Sequence, residues 1–178
     1  VSTVATLTPA ATVFREEQNF PWWLYALLAA WAALSCLAPS FARGVFDLPA
    51  DQPRPGLLEF PLISVVGLSL PLVLVIGVLR MTTEVTPTRV RVWFGWLPTY
   101  RHEVVLSDVL RVEVVRYRPL ADYGFWGVRR GKDGERVLNA RGNRGVRLYL
   151  ADESKLLIGS QRPEELALYL EKTIRPVP

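Results

Sequence analysis

Histidine and cysteine occur once each in the 178 residues, as His102 and Cys36, and that scarcity removes whole classes of chemistry. A single cysteine forms no intrachain disulfide and no cysteine-rich metal site. A single histidine between Arg101 and Glu103, with no second imidazole or thiol nearby, gives little support to a metal centre or a Ser-His-Asp site. It reads as a surface residue. Charge is missing too: Pro21–Ala38 and Phe60–Leu79 contain no Asp, Glu, Lys, Arg or His. Such segments hold no proton relay, ion path or voltage sensor, and no imidazole in them can ligate a haem iron or a chlorophyll magnesium. About 100 residues remain beyond the apolar region, enough for one small core and too few for a multidomain enzyme.

What is present is divided sharply. From Arg80 onward lie 18 of the 21 cations and 12 of the 17 anions. Before it stand two uncharged runs, PWWLYALLAAWAALSCLA and FPLISVVGLSLPLVLVIGVL. At 1.5 Å per residue each approaches or matches a hydrocarbon core of about 30 Å, so both are expected to be transmembrane helices. A cleaved signal would need a basic amino-terminal region, whereas Arg15 is followed at once by Glu16 and Glu17. Pro71 predicts a kink in the second helix, with Ser69 a candidate to satisfy the freed carbonyl. Ala26, Ala30, Ala33, Gly67 and Gly77 permit close helix contact, either within the hairpin or with a partner.

The cationic excess after Arg80, a balance of +6, predicts that the carboxyl-terminal part is cytoplasmic and that both termini share that side. The expected location is therefore the bacterial inner membrane, multi-pass. Phe20, Trp22, Trp23 and Tyr25 suit an aromatic belt, and Trp31 would lie near mid-membrane, against lipid, protein or a pigment. The expected organisation is a tail over 1–19, a two-helix hairpin over 20–80 with an external loop at 39–59, and a cytosolic domain over 81–178.

Beyond Arg80 the hydropathy alternates. Val90, Val92 and Phe94 interleave with Arg89, Arg91 and Trp93, and similar runs follow at Thr99–Val104, Val109–Tyr117, Trp126–Arg129, Arg136–Asn139, Val146–Leu150 and Leu156–Ile158, separated by turns such as Lys132-Asp133-Gly134. Pro163-Glu164-Glu165 then opens an amphipathic helix carrying Leu166, Tyr169, Leu170 and Ile174. About seven antiparallel strands capped by one helix is the order of a PH-like barrel. The segments MTTEVTPTRVRVWFG, LSDVLRVEVVRYRPLADYGFWGVRRG, GNRGVRLYL and LLIGSQRPEELALYL resemble uncharacterised bacterial membrane proteins in which two helices precede a bacterial PH-like domain. The resemblance implies a membrane α-helical hairpin plus an α+β cytosolic domain, a seven-stranded antiparallel barrel with a C-terminal helix. It brings no site residues and no cofactor.

Candidate contacts are therefore read from the residues themselves. Arg89 and Arg91 suit anionic headgroups, at about 1 kcal/mol each near a membrane surface. Arg129, Arg130, Lys132, Arg136, Arg141, Arg144 and Arg147 form a cationic run, suited to a solvated face, a membrane surface or a docking patch. Aromatic residues do not interleave with it, so no nucleic acid is expected. Arg118, Tyr123 and Trp126 belong to an aromatic and glycine-rich segment that suits an interface anchor or, for Trp126, the barrel core. Together with Trp22, Trp23 and Trp31 these define the expected partner or membrane contacts, and no catalytic or metal-ligating constellation accompanies them. The sequence thus points to a non-catalytic accessory or scaffold subunit that docks on a larger membrane-protein complex, respiratory or photosynthetic, with membrane lipids and the other subunits as partners. The alternative is a membrane-anchored sensor that binds anionic lipid or a regulatory peptide.

Overall fold

The segment FREEQN shows no regular apolar/polar alternation, yet in the computed structural model of the chain it is the first strand, β1 (Phe14–Asn19), with Phe14, Glu16 and Gln18 buried and Arg15, Glu17 and Asn19 exposed. The structure describes residues 12–45, 59–131 and 133–174. Two helices follow β1, α1 (Trp22–Val45) and α2 (Glu59–Gly77), and the chain then returns as β2 (Arg80–Val85). β1 and β2 pair antiparallel, Phe14 opposite Val85 and Asn19 opposite Arg80. The helical hairpin is thus an insertion at the open end of a strand pair. β3 (Arg89–Phe94) and β4 (Tyr100–Val105) complete a meander in the order β1-β2-β3-β4.

A 3-10 turn at Leu106–Asp108 leads into the second sheet, made of β5 (Val109–Arg116), β6 (Gly127–Arg130), β7 (Arg136–Asn139), β8 (Arg144–Leu150) and β9 (Lys155–Gly159). Its order is β5-β8-β9-β7-β6, with β7 and β9 parallel and the other neighbours antiparallel. A short helix, α3 (Pro119–Tyr123), joins β5 to β6, and α4 (Pro163–Ile174) ends the described chain. Glu164 and Glu165 stand in the first turn of α4 and Lys172 in its last, each at the dipole end that favours its charge. Met81, Val90 and Phe94 from the first sheet meet Leu148, Ile158 and the α4 residue Leu170 in one buried core.

The structure corrects the expected fold. Among the described residues nine strands form two sheets, with β4 and β5 on separate sheet edges and one parallel pair, so the seven-stranded antiparallel barrel is not formed. β1 occupies residues assigned to the tail, where Phe14, Glu16 and Gln18 turn inward and all six residues pair with β2. The two-span reading, and with it the multi-pass inner-membrane location with both termini cytoplasmic, is also overturned: among the described residues no helix is long and apolar enough to cross a membrane.

The packing supplies a physical reason for that correction. Leu24, Tyr25 and Leu28 of α1 pack on the sheet core, as do Val75 of α2 and Leu79 beyond it. The uncharged remainder of α1 up to Ala38 rises about 15 Å, and that of α2 before Val75 about 22 Å, against the roughly 30 Å of hydrocarbon. Of the expected aromatic belt, Phe20 and Tyr25 pack into the core, whereas Trp22 is exposed. Phe20 is buried, and the Tyr25 hydroxyl donates to the Leu79 carbonyl at 2.7 Å. Of the expected tail over 1–19, residues 1–11 lie outside the described residues, as do 46–58 of the expected loop over 39–59, whose residues 39–45 belong to α1, and Lys132.

Two contacts fix the hairpin. A Cβ on Gly67 would collide with the Ser35 side chain, so this glycine lets α2 approach α1 closely. At the other end of α2, the turn between β3 and β4 closes on the last helical residues. Trp96 N donates to Ile76 O at 2.7 Å, Gly95 N to Arg80 O at 2.7 Å, and the Thr99 hydroxyl to Gly77 O.

Candidate functional site

A helix without charge on any side belongs in a protein interior, and Phe60–Gly77 of α2 carries none. Its α1-facing side is closed around Gly67, yet Leu70, Leu72 and Val73 are exposed. On α1 the exposed set is Trp22, Leu27, Trp31 and Leu34, with Trp22 76% and Trp31 54% accessible. Trp96 and Leu97, on the turn that grips α2, are exposed as well, and Arg80 lies over the Trp96 ring at 4.2 Å. The hairpin therefore presents a broad apolar surface whose aromatic members are expensive to leave in water.

Trp23 is half-buried instead. Its ring meets Phe125 edge-on and Trp126 at a tilt, both at 6.2 Å between centroids. Trp126 packs on the core, with its buried Nε1 making no hydrogen bond. Of the two readings of the glycine-broken aromatic segment, Trp126 follows the core one. Tyr123 does so too: its ring packs on Tyr117 at 5.8 Å and its hydroxyl donates to Glu135 at 2.8 Å. Burial first, and then the Glu135 carboxylate, push the Tyr123 phenol up to about 12. Glu135 is buried and also accepts from Arg147 Nε at 2.6 Å. That network fixes the outer face of the second sheet.

The remaining predicted residues do not converge. Arg89 and Arg91 of β3 both reach Glu103 on β4, a cross-strand triad that neutralises them in part and holds the Glu103 carboxyl below its usual range, chiefly through the bond from Arg89. Arg118 precedes α3, is largely exposed, and lies 3.8 Å from Asp122. Arg129 and Arg130 lie exposed on β6, an edge strand. Arg144, from the same cationic run, pairs with Glu164 of α4.

Sequence reasoning missed one arrangement. His102 is half-buried, and Arg136 Nη1 lies 3.0 Å from its Nδ1. Both line a cleft of about 560 Å³ between β4 and the second sheet. Burial first, and then the Arg136 charge, lower the His102 pKa. No local sequence signal joins them, since His102 and Arg136 are 34 residues apart and on different sheets. Among the described residues no group of three or more His, Cys, Asp or Glu side chains could hold a metal ion. Compared with known proteins, the chain matches no family model and no curated protein.

Proposed function

We propose that the chain is a non-catalytic accessory subunit that docks, through the outer face of its helical hairpin, onto apolar helices of a larger protein assembly. The observation that carries this reading is the exposed apolar stripe of Leu27, Trp31 and Leu34 on α1, together with exposed Leu70, Leu72 and Val73 on α2. Helices with this composition are stable when covered on most sides. The hairpin covers one side of each helix, around Gly67 and Ser35, and the outer sides remain for a partner. Among the described residues no helix is long and apolar enough to cross a membrane, and Leu24, Tyr25 and Val75 seat the hairpin on the sheet core. Large aromatic side chains at the middle of such a face are the usual anchors of an interface.

Site-specific photocrosslinkers at Trp31 and Leu72 in the full chain, expressed at native level, test this. Crosslinks from both positions to one partner polypeptide, abolished by Leu34→Glu with the fold intact by circular dichroism, are the expected result. Crosslinks only to a second copy of the chain, or only to lipid, would refute the docking role.

A further inference from the structure

We propose that the cleft between β4 and the ends of β6, β7 and β9 binds the phosphate group of a soluble, hydroxyl-bearing phosphate ester. Arg130 ends β6, Arg136 begins β7 opposite it, and Lys155 begins β9 one residue before Leu156, the parallel partner of Arg136. Arg130 and Arg136, directly opposite on paired strands, share one face of the sheet and line the cleft, whereas Lys155 alternates to the other face, its ammonium 5.9 Å from the centre of the Tyr149 ring. Like charges directly opposite on paired strands are destabilising, and among the described residues neither arginine pairs with a carboxylate. The polar partner of Arg136 is the neutral ring of His102, at 3.0 Å. A bound oxyanion removes that repulsion, and guanidinium groups suit its geometry with paired, charge-assisted hydrogen bonds.

The carboxylates of the cleft do not compete for these cations. Glu103, also on the cleft wall, is held by Arg89 and Arg91. Asp152 accepts from Ser154 N at 3.0 Å and from Ser154 Oγ at 2.6 Å. Asp108 accepts from Ser107 Oγ at 3.1 Å. These two aspartates sit on the 3-10 turn and the β8–β9 turn, which are joined by the bond from Ala151 N to Asp108 O at 2.8 Å. Their spare lone pairs accept from hydroxyl groups, so the cleft carries cations at the strand ends and acceptors at the turns. Its volume of about 560 Å³ falls within the range of small-molecule sites. β4 is an edge strand, so backbone groups on its open side are available to the ligand as well.

Titration calorimetry on the full chain with ribose 5-phosphate and with inorganic pyrophosphate tests the assignment, beside flotation with phosphatidylcholine vesicles containing phosphatidic acid. Saturable one-to-one binding of ribose 5-phosphate is expected, weakened about ten- to hundredfold by Arg136→Gln, as loss of charged hydrogen bonds implies, and less by Arg130→Gln at the more exposed end of β6. Arg118→Gln, just before α3, should leave it unchanged. The His102 ring, followed by NMR, should titrate at higher pH in the presence of ligand, because an anion beside Arg136 favours the imidazolium. Absence of saturable binding by either soluble probe, binding to vesicles alone, or equal weakening by Arg118→Gln and Arg136→Gln would overturn the proposal.

Discussion

Replacing Gly95 by alanine tests whether the β3–β4 turn is the clamp that sets the hairpin on the sheet domain. Gly95 has φ of +87°, a region that costs an L-residue about 1–2 kcal/mol. A Cβ there would also overlap the Gly77 carbonyl and come within 2.6 Å of Leu97 O. Both obstacles are backbone, so the turn must move away from α2. That movement breaks the bonds from Trp96 N to Ile76 O and from the Thr99 hydroxyl to Gly77 O, each worth about 1 kcal/mol net. The sum is a loss of about 3–4 kcal/mol, or roughly 6–16 °C in Tm for a chain of this size. Gly124→Ala is the matched control: φ is +81° and nothing lies within 4 Å of its added Cβ, so only the conformational cost of about 1–2 kcal/mol applies. Thermal melts of the two variants by circular dichroism, read side by side, isolate the clamp. Equal losses in the two would refute it, since the contacts to α2 would then contribute nothing.

Other outcomes follow from the same geometry. Glu16→Gln should cost about 2–3 kcal/mol in urea unfolding, because the buried carboxylate of β1 accepts from Ser160 Oγ at 2.6 Å and Gln161 N at 2.7 Å and an amide cannot offer two such acceptors. Glu135→Gln should bring the Tyr123 phenol down from about 12, visible as an earlier step in ultraviolet titration of the tyrosines; an unchanged curve would show that burial alone holds it up. His102 has a folded pKa below its ordinary value of 6.5. The unfolded chain therefore takes up the proton first, and stability is complete above about pH 6.5 and falls as pH drops through the folded value. His102→Gln should flatten that limb of the stability profile, measured as Tm against pH without added anions.

Local pattern was readable from sequence wherever one periodicity acted alone. Val90-Arg91-Val92 alternates because one face of β3 meets the core and the other carries the ion pairs to Glu103, and Leu166 with Leu170 mark the buried side of α4. The order of strands was not readable, because β7 and β9 pair in parallel across a gap that holds β8, and no alternation encodes a crossover. β1 escaped because its inward positions include Glu16 and Gln18, polar residues whose burial is satisfied by Ser160, Gln161 and Gly159 contributed from the far end of the chain. The apolar runs gave the helices but misled about their surroundings. Hydropathy records the absence of charge, and it cannot tell that Tyr25, Leu28 and Val75 pack on a sheet rather than lipid. The cleft escaped for a similar reason: Arg136 and His102 are 34 residues apart, and only the assembled sheets bring them together.

The insertion of the hairpin between β1 and β2 also places the two proposed surfaces on different parts of one rigid unit. α1 and α2 emerge where β1 and β2 end, while the cleft opens along β4, two strands from β2 in the same sheet. β4 touches both, since Thr99 just before it binds the end of α2 and His102 within it faces Arg136. Register across β2, β3 and β4 is unbroken, residue for residue from Met81 opposite Phe94 to Phe94 opposite Tyr100. A packed sheet in one register transmits position but offers no second arrangement for a ligand to select, and without two states a ligand has nothing to shift. The geometry thus supports a subunit whose docking face and phosphate cleft act independently, the sheet holding each in a fixed orientation relative to the other.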